Sequence, residues 1–373
     1  VTIPLKPHFT ENIYCTLRIR VGGVKMAKNE KGGSEVYHKI LVPLDGSKVA
    51  ETVLPHLYAL EKYTHATITL LRAVPEKRVV IGPLNPDGFS GIAGIKEQEE
   101  AIKVLQETEE NNAQAYLELI AKNLEHNGVI ADIKVKKGEA ADIILNLSQN
   151  NQFDLVAMST HGYGGIVRTL MGSVADQVIQ HINLPVLLIR AKHVEEDVSK
   201  RDVAYRRILV PYDGHEMSEA IVPAVVTLAK AAVADVVLLH VMPEPIEAAR
   251  TAGMVGIKDA LTSVLIPSGK NALPHTGNAY DAMIERERSG AQSMLDTAAM
   301  QFRSQGIRTE TIVDFGNAIE VILRTAQDLN FDLVAMGTHA RGGLARITEG
   351  SISDQLIRHG PVPVLLVRPN VPH

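Results

Sequence analysis

The sequence predicts an α/β protein built from two tandem copies of one domain, each an open five-stranded parallel sheet with helices on both faces. Three observations lead there. The chain repeats itself: Ile40-Leu41-Val42-Pro43-Leu44-Asp45-Gly46 returns as Ile208-Leu209-Val210-Pro211-Tyr212-Asp213-Gly214, at a shift of 168 residues, and Phe153–Met158 returns as Phe331–Met336, at a shift of 178. Short aliphatic runs alternate with segments of helical spacing, the pattern of parallel strands joined by right-handed helical crossovers. The core material is aliphatic, for hydrophobic residues make up 45% of the 373 while aromatics supply 4% and Trp is absent. That bias suits parallel strands buried on both faces.

The repeat also sets the boundaries. Gly172-Ser173 matches Gly350-Ser351, and Pro185–Leu188 matches Pro363–Leu366, both at the longer shift. Pro75-Glu76 and Pro243-Glu244 keep the shorter one, whereas Gly138 and Gly316 show the longer one, so ten extra residues of the second copy lie between these points. The domains are expected at 37–192 and 205–373, joined by a charged linker, 193–204, and preceded by a tail, 1–36. In the tail Met26 opens a polar stretch. Two readings stand, a natural start at Met26 or a disordered or loosely docked tail. Nothing there resembles a secretion signal.

Within each copy the elements follow in order. Ile40–Val42, Thr67–Leu71, Leu155–Met158 and Val186–Ile189 have the length and composition of buried strands. Leu117, Ile120 and Leu124 lie on one face of a long helix expected from near Lys96, and Ile319, Ile322, Leu323 and Ala326 fall at i, i+3, i+4 and i+7. In such sheets ligands bind beyond the carboxyl ends of the strands, where the strand order reverses. Gly82–Gly94 and Gly253–Asn278 break the alternation with Gly and Pro. They are read either as lids over that edge or as variable surface loops.

Composition excludes several classes. With 43 acidic and 38 basic residues the formal charge is -5, which gives no electrostatic reason for nucleic acid or anionic membrane as a partner. No apolar run approaches the roughly 20 residues that span a bilayer. The single cysteine, Cys15, forms no internal disulfide and no Cys/His ligand cluster is present, so a reducing cytoplasm is expected and no metal site is.

The chemistry concentrates at two places per copy. Asp45-Gly46 and Asp213-Gly214 end the first strands. An acid there accepts hydrogen bonds from a nucleotide base or ribose, or else caps a turn and helix. After the fourth strand the first copy reads Ser159-Thr160-His161-Gly162-Tyr163-Gly164-Gly165 and then Gly172-Ser173, and the second reads Gly337-Thr338-His339-Ala340-Arg341-Gly342-Gly343 and then Gly350-Ser351. A glycine-rich turn exposes N–H groups, and a helix opening on Gly-Ser adds donors, a hydroxyl and the helix dipole, so the pair can hold a polyphosphate. It is not a Walker A loop, because Gly-Lys-Ser/Thr is missing. His161 and His339 are read first as loop-stabilising residues, since no catalytic triad or metal set assembles around either.

This pattern, G-x-x-G, nine residues, then G-S/T, resembles the ATP-binding signature of the universal stress protein family, as do the I-L-V-P-x-D-G opening and the P-V-L-L-I/V-R close. The resemblance covers both repeats beyond residue 37. It implies a Rossmann-like fold of the adenine nucleotide α-hydrolase type and ATP as ligand, with or without Mg²⁺, AMP and ADP being alternatives. By that resemblance Asp45 and Asp213 meet the adenine and ribose end, and Val74 and Val241 offer backbone to adenine. Gly162, Gly172, Ser173 and Val174 hold phosphate in the first copy; Gly337, Gly350, Ser351 and Ile352 do so in the second. Pro43, Leu44, Met158, Ser159 and His161 complete the first pocket, and Pro211, Tyr212, Met336, His339 and Arg341 the second. Each copy departs from the signature once, with Ser159 in place of the first Gly and Ala340 in place of the second. Where φ > 0 or close phosphate approach is needed, a Cβ costs on the order of 1 kcal/mol. Arg341, where the first copy has Tyr163, is read either as neutralising a terminal phosphate or as a plain surface arginine.

The resemblance implies a nucleotide-dependent stress sensor or regulator with at most slow hydrolysis. The alternatives are an enzyme of the α-hydrolase type, which would need a substrate domain or reactive cysteine, and a structural or chaperone-like module with degenerate pockets. Single-copy members pair through their last strands, so Pro185–Arg190 and Pro363–Arg368 are expected to pair within the chain as a pseudo-dimer, with further homo-oligomerisation.

Overall fold

The computed structural model describes residues 37–77, 91–150, 152–160, 171–190, 203–244, 279–338 and 351–369. The tail, the linker apart from 203–204, the two Gly/Pro-rich segments apart from 91–94, and the residues 161–170 and 339–350 lie outside the described residues.

The first domain runs β1 (Lys39–Pro43), a 3-10 turn (Ala50–Val53), α1 (Leu54–Thr64), β2 (Thr67–Val74), α2 (Gly91–His126), β3 (Ala131–Lys137), α3 (Ala140–Gln149), β4 (Leu155–Ser159), α4 (Ser173–His181) and β5 (Val186–Ile189). The second runs β6 (Arg207–Pro211), α5 (Glu216–Ala220), α6 (Val222–Ala232), β7 (Asp235–Met242), α7 (Ala279–Arg303), β8 (Thr309–Phe315), α8 (Ala318–Asp328), β9 (Leu333–Gly337), α9 (Ile352–His359) and β10 (Val364–Val367). The long helix of the first domain begins at Gly91, ahead of the Lys96 expected from its apolar spacing.

All ten strands form one sheet in the order β3-β2-β1-β4-β5-β10-β9-β6-β7-β8. Pairing is parallel within each domain and antiparallel at the centre, where Val364, Leu365 and Leu366 face Leu188, Leu187 and Val186. The expected intrachain pseudo-dimer is therefore present. In each half the strand order reverses between the first and fourth strands, so β1/β4 and β6/β9 are the switch points.

Strand alternation divides the core into two layers. Ile40, Val42, Ile68 and Leu70 join Leu57, Leu60, Leu117 and Leu124 of α1 and α2 on one face, together with their second-domain counterparts on α6 and α7. Leu41, Leu71, Val156 and Leu188 join Ile144, Val178 and Ile179 of α3 and α4 on the other, with Ile322, Leu356 and Ile357 of the second domain. Each layer runs through both domains. On the first face two pseudo-equivalent tyrosines reach across: Tyr37 donates to Ala224 O at 3.2 Å, and Tyr205 Oη meets His56 Nδ1 at 2.8 Å. Tyr37 and Tyr205 are 1% and 0% exposed, and burial first, then nearby acidic charge or Tyr63, pushes both phenols far above their ordinary range.

Candidate functional site

The carboxyl edges of β1 and β6 end in turns that need glycine. Gly46 and Gly214 have φ of +81° and +77°, a region that L side chains rarely adopt. Space is limited there as well. A Cβ on Gly46 would lie 3.2 Å from the Arg72 guanidinium, and one on Gly214 would lie 2.5 Å from Met294 Sδ. Each turn is braced by the acid before it. Asp45 Oδ1 accepts from Ser47 N at 2.9 Å and from Ser47 Oγ at 2.6 Å, and Ser47 Oγ accepts in turn from Ala50 N at 3.0 Å. Asp213 Oδ1 accepts from His215 N at 3.0 Å and Ser218 Oγ at 2.7 Å, while its Oδ2 lies 3.2 Å from His215 Nδ1. Burial pushes the Asp213 carboxyl up, but the His215 N–H, the Ser218 hydroxyl and the His215 ring outweigh it and hold the group below its ordinary value. The turn-bracing role that sequence allows for these acids is thus present in both domains.

The residue before each acid is buried, Leu44 at 3% and Tyr212 at 4% exposure. Beside them a glutamate meets a phenol in both domains, from different elements. Tyr116 of α2 donates to Glu51 Oε1 at 3.4 Å, whereas Tyr212 itself donates to Glu219. Met294 takes the helix position that Tyr116 holds in the first domain, so the tyrosine and the apolar side chain have exchanged places. On the second strands Arg72 Nη1 donates to Leu44 O at 3.4 Å, and His240 Nδ1 lies 2.9 Å from Tyr212 O. Sequence reasoning missed both. Their signal is a polar residue interrupting an aliphatic strand at the same place in both copies.

Val74 and Val241 are not equivalent positions. Val74 pairs with Lys137, and its carbonyl accepts from Gly138 N–H at 3.0 Å; its counterpart is Met242, whose carbonyl accepts from Gly316 N–H at 2.9 Å. Val241 corresponds to Ala73. In a parallel sheet successive residues turn their peptide edges to opposite neighbours. Ala73 and Val241 therefore face β1 and β6, just past the last bonds of those strands, Leu44 N–H to Leu71 O and Tyr212 N–H to Leu239 O, both 2.8 Å. Ala73 is thus the first-domain position that matches Val241, while Val74 turns its backbone to β3.

The fourth strands explain the Ser159 departure. A Cβ on Gly337 would lie 2.0 Å from Met217 O of α5, and its φ is outside the left-handed region. Glycine is required there by close backbone packing of α5, not by a positive φ. In the first domain the equivalent of α5 is the 3-10 turn, and Ser159 fits beside it at 7% exposure. Beyond the strands, Thr160 N donates to Ile189 O at 3.0 Å and Thr338 N to Val367 O at 2.9 Å. Gly172 N donates to Thr160 O at 2.8 Å, which brings the start of α4 back to the end of β4. Gly172 is the N-cap of α4 and makes no side-chain cap bond, whereas Ser351 caps α9 by accepting from Asp354 N at 3.1 Å.

Pro43 and Pro211 end the first strands, Met158 and Met336 sit at the fourth strand ends, and Val174 and the 39% exposed Ile352 lie in the first turns of α4 and α9. The described members of each predicted set thus gather at one carboxyl edge. His161, Gly162, His339, Arg341 and Gly350 lie outside the described residues. Among the described residues no three His, Cys, Asp or Glu side chains gather to hold a metal, and no helix is long and apolar enough to cross a membrane.

Comparison with known proteins decides the family. The profile of the universal stress protein family matches residues 36–190 and again 204–368. The chain belongs to the universal stress protein family, as a tandem member. A universal stress protein of Methanocaldococcus jannaschii is 30% identical over 164 residues, 43% of this chain and 99% of the relative. One from Mycolicibacterium smegmatis spans both domains, at 22% identity over 342 residues, 90% of this chain and 99% of its own. The crystal structure of a universal stress protein from Archaeoglobus fulgidus superposes with a TM-score of 0.57 at 18% identity, covering 89% of this chain and 98% of that one, which shows the shared fold.

Proposed function

We propose that this universal stress protein binds ATP at the carboxyl edge of each domain and acts as a nucleotide-dependent sensor or regulator of the cytoplasmic stress response. One observation carries the reading: the same constellation is built twice at a topological switch point, with an acid on the first strand tip, a peptide edge on the second strand, and a helix opening after the fourth. In the first domain Asp45 accepts from a ribose hydroxyl or the adenine amino group, the Ala73 peptide meets the base edge, and Gly172, Ser173 and Val174 present N–H groups to phosphate. Asp213, Val241, Ser351 and Ile352 serve in the second. The groups present fit an adenine nucleotide: α4 opens without a side-chain cap, which leaves its first turn to donate to an anion. ATP supplies a charged tail, and its presence or absence at the carboxyl edge is what a protein partner or a second copy of the chain reads. Turnover is at most slow, and Mg²⁺ accompanies the triphosphate.

Calorimetric titration with ATP and Mg²⁺, on protein shown by mass spectrometry to carry no nucleotide, tests the reading. Two sites per chain are expected, one lost in Asp45→Ala and the other in Asp213→Ala. Folded wild-type protein that takes up no adenine nucleotide would overturn the proposal and leave a structural stress module.

A further inference from the structure

Arg368 follows β10 in the second domain, yet its Nη1 donates at 2.7 Å to Gln180 O, in the last turn of α4 in the first. Gln180 O is one of the terminal carbonyls that an α-helix leaves without an internal partner. The neighbouring C-cap bond, Ile182 N–H to Val178 O at 2.9 Å, does not serve it. A guanidinium there also opposes the negative end of the helix dipole. The residue before Arg368, Val367, accepts from Thr338 N–H, just beyond the end of β9. Arg368 is thus held by a strand paired on both sides, β5 on one and β9 on the other.

α4 has 9 residues, so its ends lie about 13 Å apart along a single rigid rod. Its first turn is the one that carries Gly172, Ser173 and Val174. We propose that Arg368 is a positioning residue for the first domain's nucleotide pocket: the second domain anchors the far end of the helix whose near end faces phosphate. The inference rests on the nucleotide reading above and deepens it, because the first pocket then depends on a side chain of the other domain. Without the guanidinium, the last turn of α4 keeps its apolar packing through Val178 and Ile179 but loses this polar tie to the second domain, and the N–H groups of its first turn lose their fixed aim. Arg190 holds the corresponding place after β5.

The test uses the full chain with one pocket disabled at a time. In an Asp213→Ala background ATP titration reads the first pocket; in an Asp45→Ala background it reads the second. Arg368→Ala is expected to weaken the first pocket about fivefold to tenfold, the scale of one charge-assisted contact at a helix end, and to leave the second within about twofold on the same scale. Arg368→Lys restores most of the loss, because an ammonium still reaches a carbonyl. Equal weakening of both pockets, an unchanged first pocket, or no rescue by lysine overturns the inference while the nucleotide reading stands. Wild-type protein that binds ATP at neither pocket overturns that reading, and this inference with it. If Arg368→Ala does not fold, Arg368→Gln is read against the same outcomes.

Discussion

Gly337 shows how one residue's tolerance is set by a neighbour remote in sequence. Its missing Cβ makes room for the Met217 carbonyl, so Gly337→Ala is expected to cost about 1–3 kcal/mol in urea unfolding, as overpacking does. Ser159→Gly, at the equivalent site, should change stability by less than about 1 kcal/mol. A tolerated Gly337→Ala would show that α5 moves away freely. Asp213 gives a pH test. Its carboxyl is held below its ordinary value, so the stability it contributes is present above the unfolded-state pKa and disappears as pH falls through the folded one. The difference in unfolding free energy between wild type and Asp213→Asn should therefore narrow on acidification from about pH 5 to 2. A gap that widens would mean the hydrogen bonds are not made to the ionised group. The acids and the Gly-Ser helix starts were legible in sequence because their spacing repeats. Arg72, His240 and the tyrosine exchange were not, since each depends on which side chain packs above a turn.

Helix starts differ between copies in a way that predicts energies. Asn317 caps α8 by accepting from Ile319 N at 3.1 Å and Glu320 N at 3.4 Å, while the equivalent Glu139 of α3 makes no side-chain cap bond. Asn317→Ala should cost about 1 kcal/mol, and Glu139→Asn should stabilise the first domain by about 0.5–1 kcal/mol, both read from denaturant midpoints at constant slope. An unchanged Asn317→Ala would mean that water replaces the cap at no cost. β1, β2, β4 and β5 were legible as short aliphatic runs and the buried faces of α2 and α8 from helical spacing, whereas the half-exposed, charged β3 was not located. The start of α2 was not, because Gly91 and Gly94 in its first turn read as the end of a Gly/Pro-rich connection.

At the scale of the molecule the two domains share one sheet and are expected to unfold as one unit. Both hydrophobic layers run across the seam, and Leu187 and Leu365, each 1% exposed, face one another across it. Leu365→Asp places an unpaired charge there. Hydrogen exchange should then show β1 and β6 losing protection together; loss confined to β6 would show separable domains. Tyr205→Phe removes only the hydroxyl shared with His56 and should cost about 1 kcal/mol, measured by thermal or urea unfolding.

The sequence by itself determined the duplication, the α/β alternation, the aliphatic core and the family signature. Each of these is a periodicity or a local pattern, and burial of apolar faces leaves little choice in how such patterns are met. Tertiary structure alone decided which residues share an edge. It turned the peptide edge of Ala73, and not that of Val74, toward β1, because peptide direction alternates with every residue and only the register with β3 shows which one faces which neighbour. It set the Met217 carbonyl against Gly337, and it set Arg368 against α4 of the other domain, because a contact between residues 188 positions apart exists only once the two halves of the sheet have joined.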